Sequence, residues 1–179
     1  MFAGKLVRLR AITREDLPRY VRWIADPEVI RFLNFFRPIP LEAEERWFES
    51  LIGDESQHVF SIETLEGQHI GGTGLHSIHW RYRHAEVGIF IGEKEYWGSG
   101  YGSEALRLML AFAFGQLNLN RVYLHVQADN ERAVRAYRKC GFVQEGLLRQ
   151  AVYKDGEYSD VLLMSILGDE HRRMYKGER

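Results

Sequence analysis

The sequence predicts an α+β domain with a mixed, mostly antiparallel central sheet of about seven strands, helices on both faces, and one parallel β-α-β crossover. Three observations predict it. Stretches that alternate apolar and polar residues recur along the chain and are joined by short Gly-containing turns, the pattern of antiparallel hairpins. A helical stretch from Gly102 to Leu117 separates two strands, and a strand, helix, strand order implies a right-handed parallel crossover. No linker, repeat or low-complexity segment interrupts the 179 residues, so 1–179 is read as one domain with one core.

Taken in order, Lys5 to Arg10 alternates Leu6, Arg8 and Arg10 against Val7 and Leu9, which makes a half-buried strand. Thr13 caps a helix whose Leu17, Tyr20, Val21 and Ile24 recur at helical spacing. Asp26-Pro27 reads as a second cap and first helical position, leading a short helix through Phe32. Pro38 and Pro40 make Asn34 to Pro40 a loop, and Leu41 to Ile52 is a further helix ending at Gly53. Val59 to Thr64 and Ile70 to Ile78 form a hairpin around Glu66-Gly67, and a strand begins at Glu86. Leu106, Leu110, Ala113 and Leu117 form the core stripe of the crossover helix. Arg121 to Val126 is the next strand, and Asp129 or Asn130 caps a helix to Lys139. Phe142 to Val152 and Tyr158 to Leu167 close the chain as a hairpin around Asp155-Gly156, and Gly168 to Arg179 reads as a frayed helical tail.

Composition narrows the class. Hydrophobic residues at 45% and charged residues at 27% exclude disorder as the main state. A net charge of −1 supports neither a nucleic-acid partner nor a membrane surface. Cys140 is the single cysteine, so no intrachain disulfide or Cys-based zinc cluster is expected. No apolar run approaches the roughly 18 residues of a membrane span, and MFAGKLVRLR lacks the features of a signal peptide, which makes the cytoplasm the expected location.

The chemistry gathers in Glu86 to Leu106, EVGIFIGEKEYWGSGYGSEAL, where a strand passes through a glycine cluster into a helix. Gly98, Gly100 and Gly102 alternate at that junction, so backbone N–H groups can converge on an anion without side chains blocking it. A nucleoside-triphosphate P-loop would need Gly-Lys-Ser/Thr at the helix start, whereas Gly102 is followed by Ser103 and Glu104. A dinucleotide fingerprint needs a different glycine spacing and an acid after the next strand, and stays a minor alternative. His84-x-Glu86 matches half of a zinc deaminase signature without its Pro-Cys-x-x-Cys partner, and no metal is expected. His76 and His79 read as structural or acceptor-facing, and Cys140 as core.

The second constellation is DNERAVRAYRKCGF, Asp129 to Phe142, where Asn130 and Tyr137 lie close to one helical face. Alone this is a capping Asn and a core Tyr. Together, WGSGYGSEA and NERAVRAYRKCGF resemble the GNAT superfamily of N-acetyltransferases over nearly the whole chain, and most of all the branch of ribosomal-protein N-terminal (RimJ/RimL-type) and spermidine acetyltransferases. The superfamily's phosphate motif, Arg/Gln-x-x-Gly-x-Gly/Ala, matches Trp97-Gly-Ser-Gly100-Tyr-Gly102, with Trp97 departing at the first position.

The resemblance implies acetyl-CoA as co-substrate, with Gly98, Ser99, Gly100, Tyr101, Gly102 and Ser103 around the pyrophosphate and Trp97 beside it. It places the Phe90 and Ile91 backbone along the pantetheine arm, with Gly88 and Gly92 leaving room for the ligand and for a bulge. Asn130 and Ala133 approach from the other side. It implies direct attack of an amine on the thioester, with Tyr137 as general acid toward the sulfur and Glu86, or a water relay, as base. Acceptor choice is expected in Glu28 to Leu51 and in Trp80 to His84, where Phe32, Phe35, Phe36, Trp47 and Phe48 could wall an acceptor groove or a homodimer contact. The Arg31 to Pro40 loop carries no carboxylate, although Glu42, Glu44 and Glu45 follow, so a polyamine is allowed and not favoured. A polypeptide N-terminus, an aminoglycoside or another small amine stays open, and the alternative class is a non-catalytic acyl-CoA-binding or sensing module.

Overall fold

The computed structural model describes residues 2–175. Its strands are β1 (Phe2–Ala3), β2 (Val7–Ala11), β3 (His58–Thr64), β4 (His69–His79), β5 (His84–Ile91), β6 (Arg121–Gln127), β7 (Val143–Lys154) and β8 (Glu157–Leu167). The helices are α1 (Leu17–Ile24), α2 (Leu41–Ser50), α3 (Tyr101–Gly115), α4 (Glu131–Lys139) and α5 (Gly168–Met174). The strands form one eight-stranded sheet in the order β1-β2-β3-β4-β5-β6-β8-β7, all antiparallel except β5 with β6. The extra strand is β1, which is too short to show a period and is held by pairing Phe2 with Leu9 and Ala3 with Arg8.

The parallel pair positions the site. β5 and β6 are joined only at His84↔Arg121, Ala85↔Val122 and Glu86↔Tyr123. Beyond Glu86, β5 stays with β4 up to Gly71↔Ile91, while β6 stays with β8 up to Gln127↔Val161. The two halves of the sheet therefore diverge, and a wedge opens between neighbouring strands. No bulge occurs at Gly88 or Gly92, because the β4–β5 register is regular from Gly71 to His76; the irregularity falls between His76 and His79.

Alternation of side chains along β5 sends Ile89 and Ile91 to one face and Phe90 to the other. On the first face α3 buries Leu106, Leu110 and Ala113 of the expected stripe together with Ala105 and Met109, and Val134 of α4 joins them; Leu117 of that stripe lies past the helix end and is only partly buried. At roughly 1.5–3 kcal/mol for each large side chain, this is the main stabilising layer. On the second face Tyr20 and Trp23 of α1 pack with Trp47 and Phe48 of α2 and with Phe90. Gly92 serves this second core, since a Cβ there would lie 2.1 Å from the Trp23 indole.

Two buried carboxylates fasten these layers. Asp16 accepts from Arg10 at 2.7 and 2.8 Å and from the Thr13 backbone N–H at 2.9 Å, and His69 Nδ1 lies 3.0 Å away. Burial works to raise the Asp16 carboxyl, but hydrogen bonds from Arg10, His69 and Thr13 outweigh it and hold it well below the usual range. Glu104, in the first turn of α3, accepts from the backbone N–H groups of Lys5, Leu6 and Val7 at 3.0, 2.6 and 2.8 Å. Burial opposes these bonds and loses, so the Glu104 carboxyl also sits low. It fixes the start of α3.

Two local expectations are corrected. Asp26 to Phe32 forms turns and no helix: the Asp26 side chain accepts from Glu28 N–H at 2.9 Å, and one backbone bond, Ile30 N–H to Asp26 C=O at 3.1 Å, closes a single turn. One turn without a continuing apolar stripe does not overcome helix nucleation. The segment from Gly168 is also not frayed as far as Met174. Gly168 is buried, and the His171 ring packs on Phe114 at 4.9 Å. The rest of the expected tail, 176–179, lies outside the described residues. Among the described residues no helix is long and apolar enough to cross a membrane.

Candidate active site

The wedge between β5 and β6 is the mouth of a cleft of about 830 Å³ that runs from the start of α3 to the loop preceding α2. Gly98, Gly100, Gly102 and Ser103 line its donor end. Gly98 has φ 75° and Gly100 has φ 93°, conformations in which a side chain is strained, and a Cβ at Gly98 would meet nothing within 4 Å. Open backbone at a helix N-terminus is what an anion requires. Trp97 is fixed beside it by donating its indole N–H to Ile91 C=O at 2.8 Å.

Asn130 caps α4 by accepting from Ala133 N–H at 3.2 Å, and it lines the cleft together with Ala133 and Tyr137. The capping role and the site role coincide, because the helix whose start faces the cleft is the helix that carries Tyr137. Burial pushes the Tyr137 phenol up to about 12, so it keeps its proton throughout the neutral range.

At the other end Glu86 meets two imidazoles. His125 Nδ1–H on β6 donates to Glu86 Oε1 at 2.7 Å, and His76 sits opposite Glu86 in the β4–β5 register. Burial lowers the His76 imidazole, only partly offset by the Glu86 charge, which favours the neutral ring. Glu28, Val29, Phe32 and Leu33 form one wall, and Val152 and Val161 of the closing hairpin form another. Lys154 ties these walls together by donating to the backbone carbonyls of Ile30 and Leu33, the latter at 3.0 Å.

Of the residues expected from the sequence, Glu86, Phe90, Ile91, Trp97, Gly98, Gly100, Gly102, Ser103, Asn130, Ala133 and Tyr137 line this one cleft. Gly92, Ser99 and Tyr101 do not: Gly92 faces Trp23, the Ser99 hydroxyl turns back to Trp97 C=O, and Tyr101 packs on Tyr96 at 4.9 Å. The Trp80 to His84 connection also lies outside the lining apart from the strand it leads into, and its Tyr82 stacks on His79 at 4.2 Å. Among the aromatics near the acceptor loop, Phe32 lines the cleft, Trp47 and Phe48 join the second core, and Phe36 is 84% exposed. His125, Arg132 and Lys154 are functional candidates that sequence reasoning missed. The parallel register Glu86↔Tyr123 is the signal that brings His125 across to Glu86, and it exists only once the strands are paired.

A splayed parallel pair, a backbone anion cradle at one end and a protonated phenol beside the split fit the acyl-transferase class that the sequence resemblance implies. The GNAT acetyltransferase domain model matches residues 7–143, and the chain belongs to that family. It is 34% identical over 164 residues to the spermidine N(1)-acetyltransferase of Vibrio cholerae, covering 91% of this chain and 94% of that protein. It is 33% identical over 171 residues to the Escherichia coli K12 spermidine N(1)-acetyltransferase, covering 95% and 90%. The crystal structure of the Vibrio cholerae spermidine N-acetyltransferase in complex with CoA and spermine superposes with a TM-score of 0.88 at 31% identity, covering 94% of this chain and 99% of that one. The protein is an acetyl-CoA-dependent N-acetyltransferase that transfers acetyl to an amine, and the sensing-module alternative is set aside.

Proposed function

We propose that the acceptor is a primary amine of a polyamine, and that Glu86 and Tyr137 are the groups that move its protons. The carrying observation is that Glu86, held by His125, and Tyr137 line the same cleft whose far end is the glycine cradle. The relatives named for spermidine acetylation support a polyamine over a polypeptide N-terminus as the acceptor. The expectation that a polyamine is allowed and not favoured rested on the absence of clustered carboxylates from the Arg31 to Pro40 loop. The carboxylates that line the cleft come instead from separate segments, Glu86 on β5 and Glu28 ahead of the acceptor loop.

An amine with a pKa near 10 arrives protonated and must lose that proton before it attacks. Glu86 supplies a carboxylate for this, directly or through one water, and His125 fixes its orientation. Acetyl-CoA supplies the activated carbonyl. The amine nitrogen forms a bond to that carbon and sheds its second proton to solvent as the carbon–sulfur bond breaks. Tyr137 donates its O–H to the sulfur as charge develops there. A phenol near 12 is a weak acid toward a thiolate whose thiol has a pKa of about 8.5, so its contribution is mainly a hydrogen bond in the transition state, with solvent completing the proton transfer.

Release of free thiol from acetyl-CoA, measured with spermidine, spermine, an aminoglycoside and a peptide with a free N-terminus, tests the acceptor. The expected result is turnover with the polyamines at a kcat/KM at least about tenfold above the others. Preferential turnover of the peptide or the aminoglycoside would overturn the polyamine reading.

A further inference from the structure

The donor cradle is built from backbone, and backbone N–H groups carry only partial charges, whereas a pyrophosphate carries full negative charge. The side chain at position 97 adds no polar contact there, because its single N–H is already donated to Ile91 C=O at 2.8 Å. That same bond holds the indole still, at the end of β5 and next to Gly98. On its face lies the guanidinium of Arg132, with Cζ 4.3 Å from the ring centroid. Arg132 is the second residue of α4, so it reaches back across the cleft from the helix that also carries Asn130 and Tyr137.

We propose that Arg132, positioned by stacking on Trp97, is the side-chain cation that grips the donor's pyrophosphate. A guanidinium stacked on an aromatic face keeps its N–H donors in the plane of its own group, free to form paired bonds to phosphate oxygens. Arg132 lines the cleft with Gly98 and Gly100 and forms no ion pair among the described residues. Its neighbour Arg135 is instead paired with Glu131 at 3.0 Å. The indole at position 97 thus works as a platform: the polar side chain that the phosphate motif carries in its own first position is delivered here from the opposite wall.

The proposal rests on acetyl-CoA as donor, and calorimetric titration of CoA and of dephospho-CoA, which lacks only the 3′-phosphate, separates the two. Wild-type protein that binds neither would sink the donor assignment itself. Arg132→Ala is expected to raise Kd about tenfold for both ligands, the loss of a charge-assisted contact. The same factor should appear in KM for acetyl-CoA and not in KM for the amine. Trp97→Leu should weaken binding as well, and the double variant should be no worse than Arg132→Ala alone, since the platform acts only through the arginine. Trp97→Arg placed in the Arg132→Ala background should recover most of the lost affinity. An unchanged Kd in the exposed, fold-neutral Arg132→Ala variant overturns the proposal. So does a loss seen with CoA and absent with dephospho-CoA, which would give Arg132 to the 3′-phosphate. Additive effects of the two single variants would remove Trp97 from the account.

Discussion

The two ends of the cleft are built on different principles. The donor end is assembled from short contiguous stretches, 97–103 and 130–137, and offers backbone N–H groups at helix starts. The acceptor end is assembled from side chains that meet only in the folded chain: Glu28 from a loop, His76 from β4, Glu86 from β5, His125 from β6 and Val152 from β7. A thioester's phosphates are the same in every enzyme that uses that donor, so a fixed backbone cradle, with the Arg132 guanidinium proposed beside it, can serve them. Acceptor identity has to be written in side chains.

The sharpest way to break this division is at Tyr137, which belongs by sequence to the donor end and by chemistry to the junction. Tyr137→Phe keeps the ring that packs on Phe142 and removes only the O–H. Loss of a general acid or transition-state donor costs about 10²–10³-fold in kcat, while Kd for CoA should stay within about twofold. Equal loss of both would mean that the residue serves cofactor binding alone. The next largest effect is expected at Glu86→Gln, which preserves an acceptor for His125 and removes the charge. A fall of about 10²-fold in kcat/KM is expected near pH 7, shrinking as pH approaches the amine's own pKa of about 10, where the acceptor is already neutral. A loss that stays constant with pH would show Glu86 to be an acceptor-binding group and not a base.

The same division decides what was legible beforehand. The glycine cluster, Asn130 and Tyr137 announce themselves because their spacing is local and each residue type is needed for backbone reasons. The fold was legible for a related reason, since the period of α3 and the β3–β4 turn at Glu66-Gly67 are local signals. His125 could not be found without the β5–β6 register, nor Lys154 without knowing that the last hairpin folds over residues 30–33. Gly92 was misread for the converse reason: a glycine beside a ligand strand looks like ligand space, yet its missing Cβ is filled by Trp23 from a distant helix. Helix formation at Asp26-Pro27 failed because a cap signal specifies a start and says nothing about whether a second turn follows.

Stability should show the same contrast. The buried carboxylate near the donor end, Glu104, has three N–H partners, whereas Glu44 on α2, behind the acceptor loop, is 6% exposed and is pushed up to about 7 by burial. Because the folded state holds this proton more tightly than the unfolded chain, Glu44 costs nothing below about pH 4.5, and its penalty grows as pH rises toward 7. Glu44→Gln should therefore stabilise the protein by about 2 kcal/mol in urea melts at pH 8 and by close to nothing at pH 4. Equal effects at the two pH values would mean that the gain comes from packing and not from charge.

The smallest effect tests whether the acceptor wall is set by one cross-chain latch. The Lys154 ammonium is partly desolvated, and burial lowers it from its ordinary range, yet it is retained against two loop carbonyls, of which Ile30 C=O also accepts from Leu33 N–H at 2.9 Å. A methionine of similar length keeps the apolar stem and abandons both carbonyls, so the loop carrying Phe32 and Leu33 loses its tie to the hairpin. Lys154→Met should raise KM for the polyamine about three- to tenfold, with KM for acetyl-CoA unmoved, because the latch touches only the acceptor end. If both constants rise together, the two ends are mechanically coupled through the hairpin. An Arg132→Ala, Lys154→Met double variant, one change at each end, then decides how far, since independent ends require the two losses in kcat/KM to multiply.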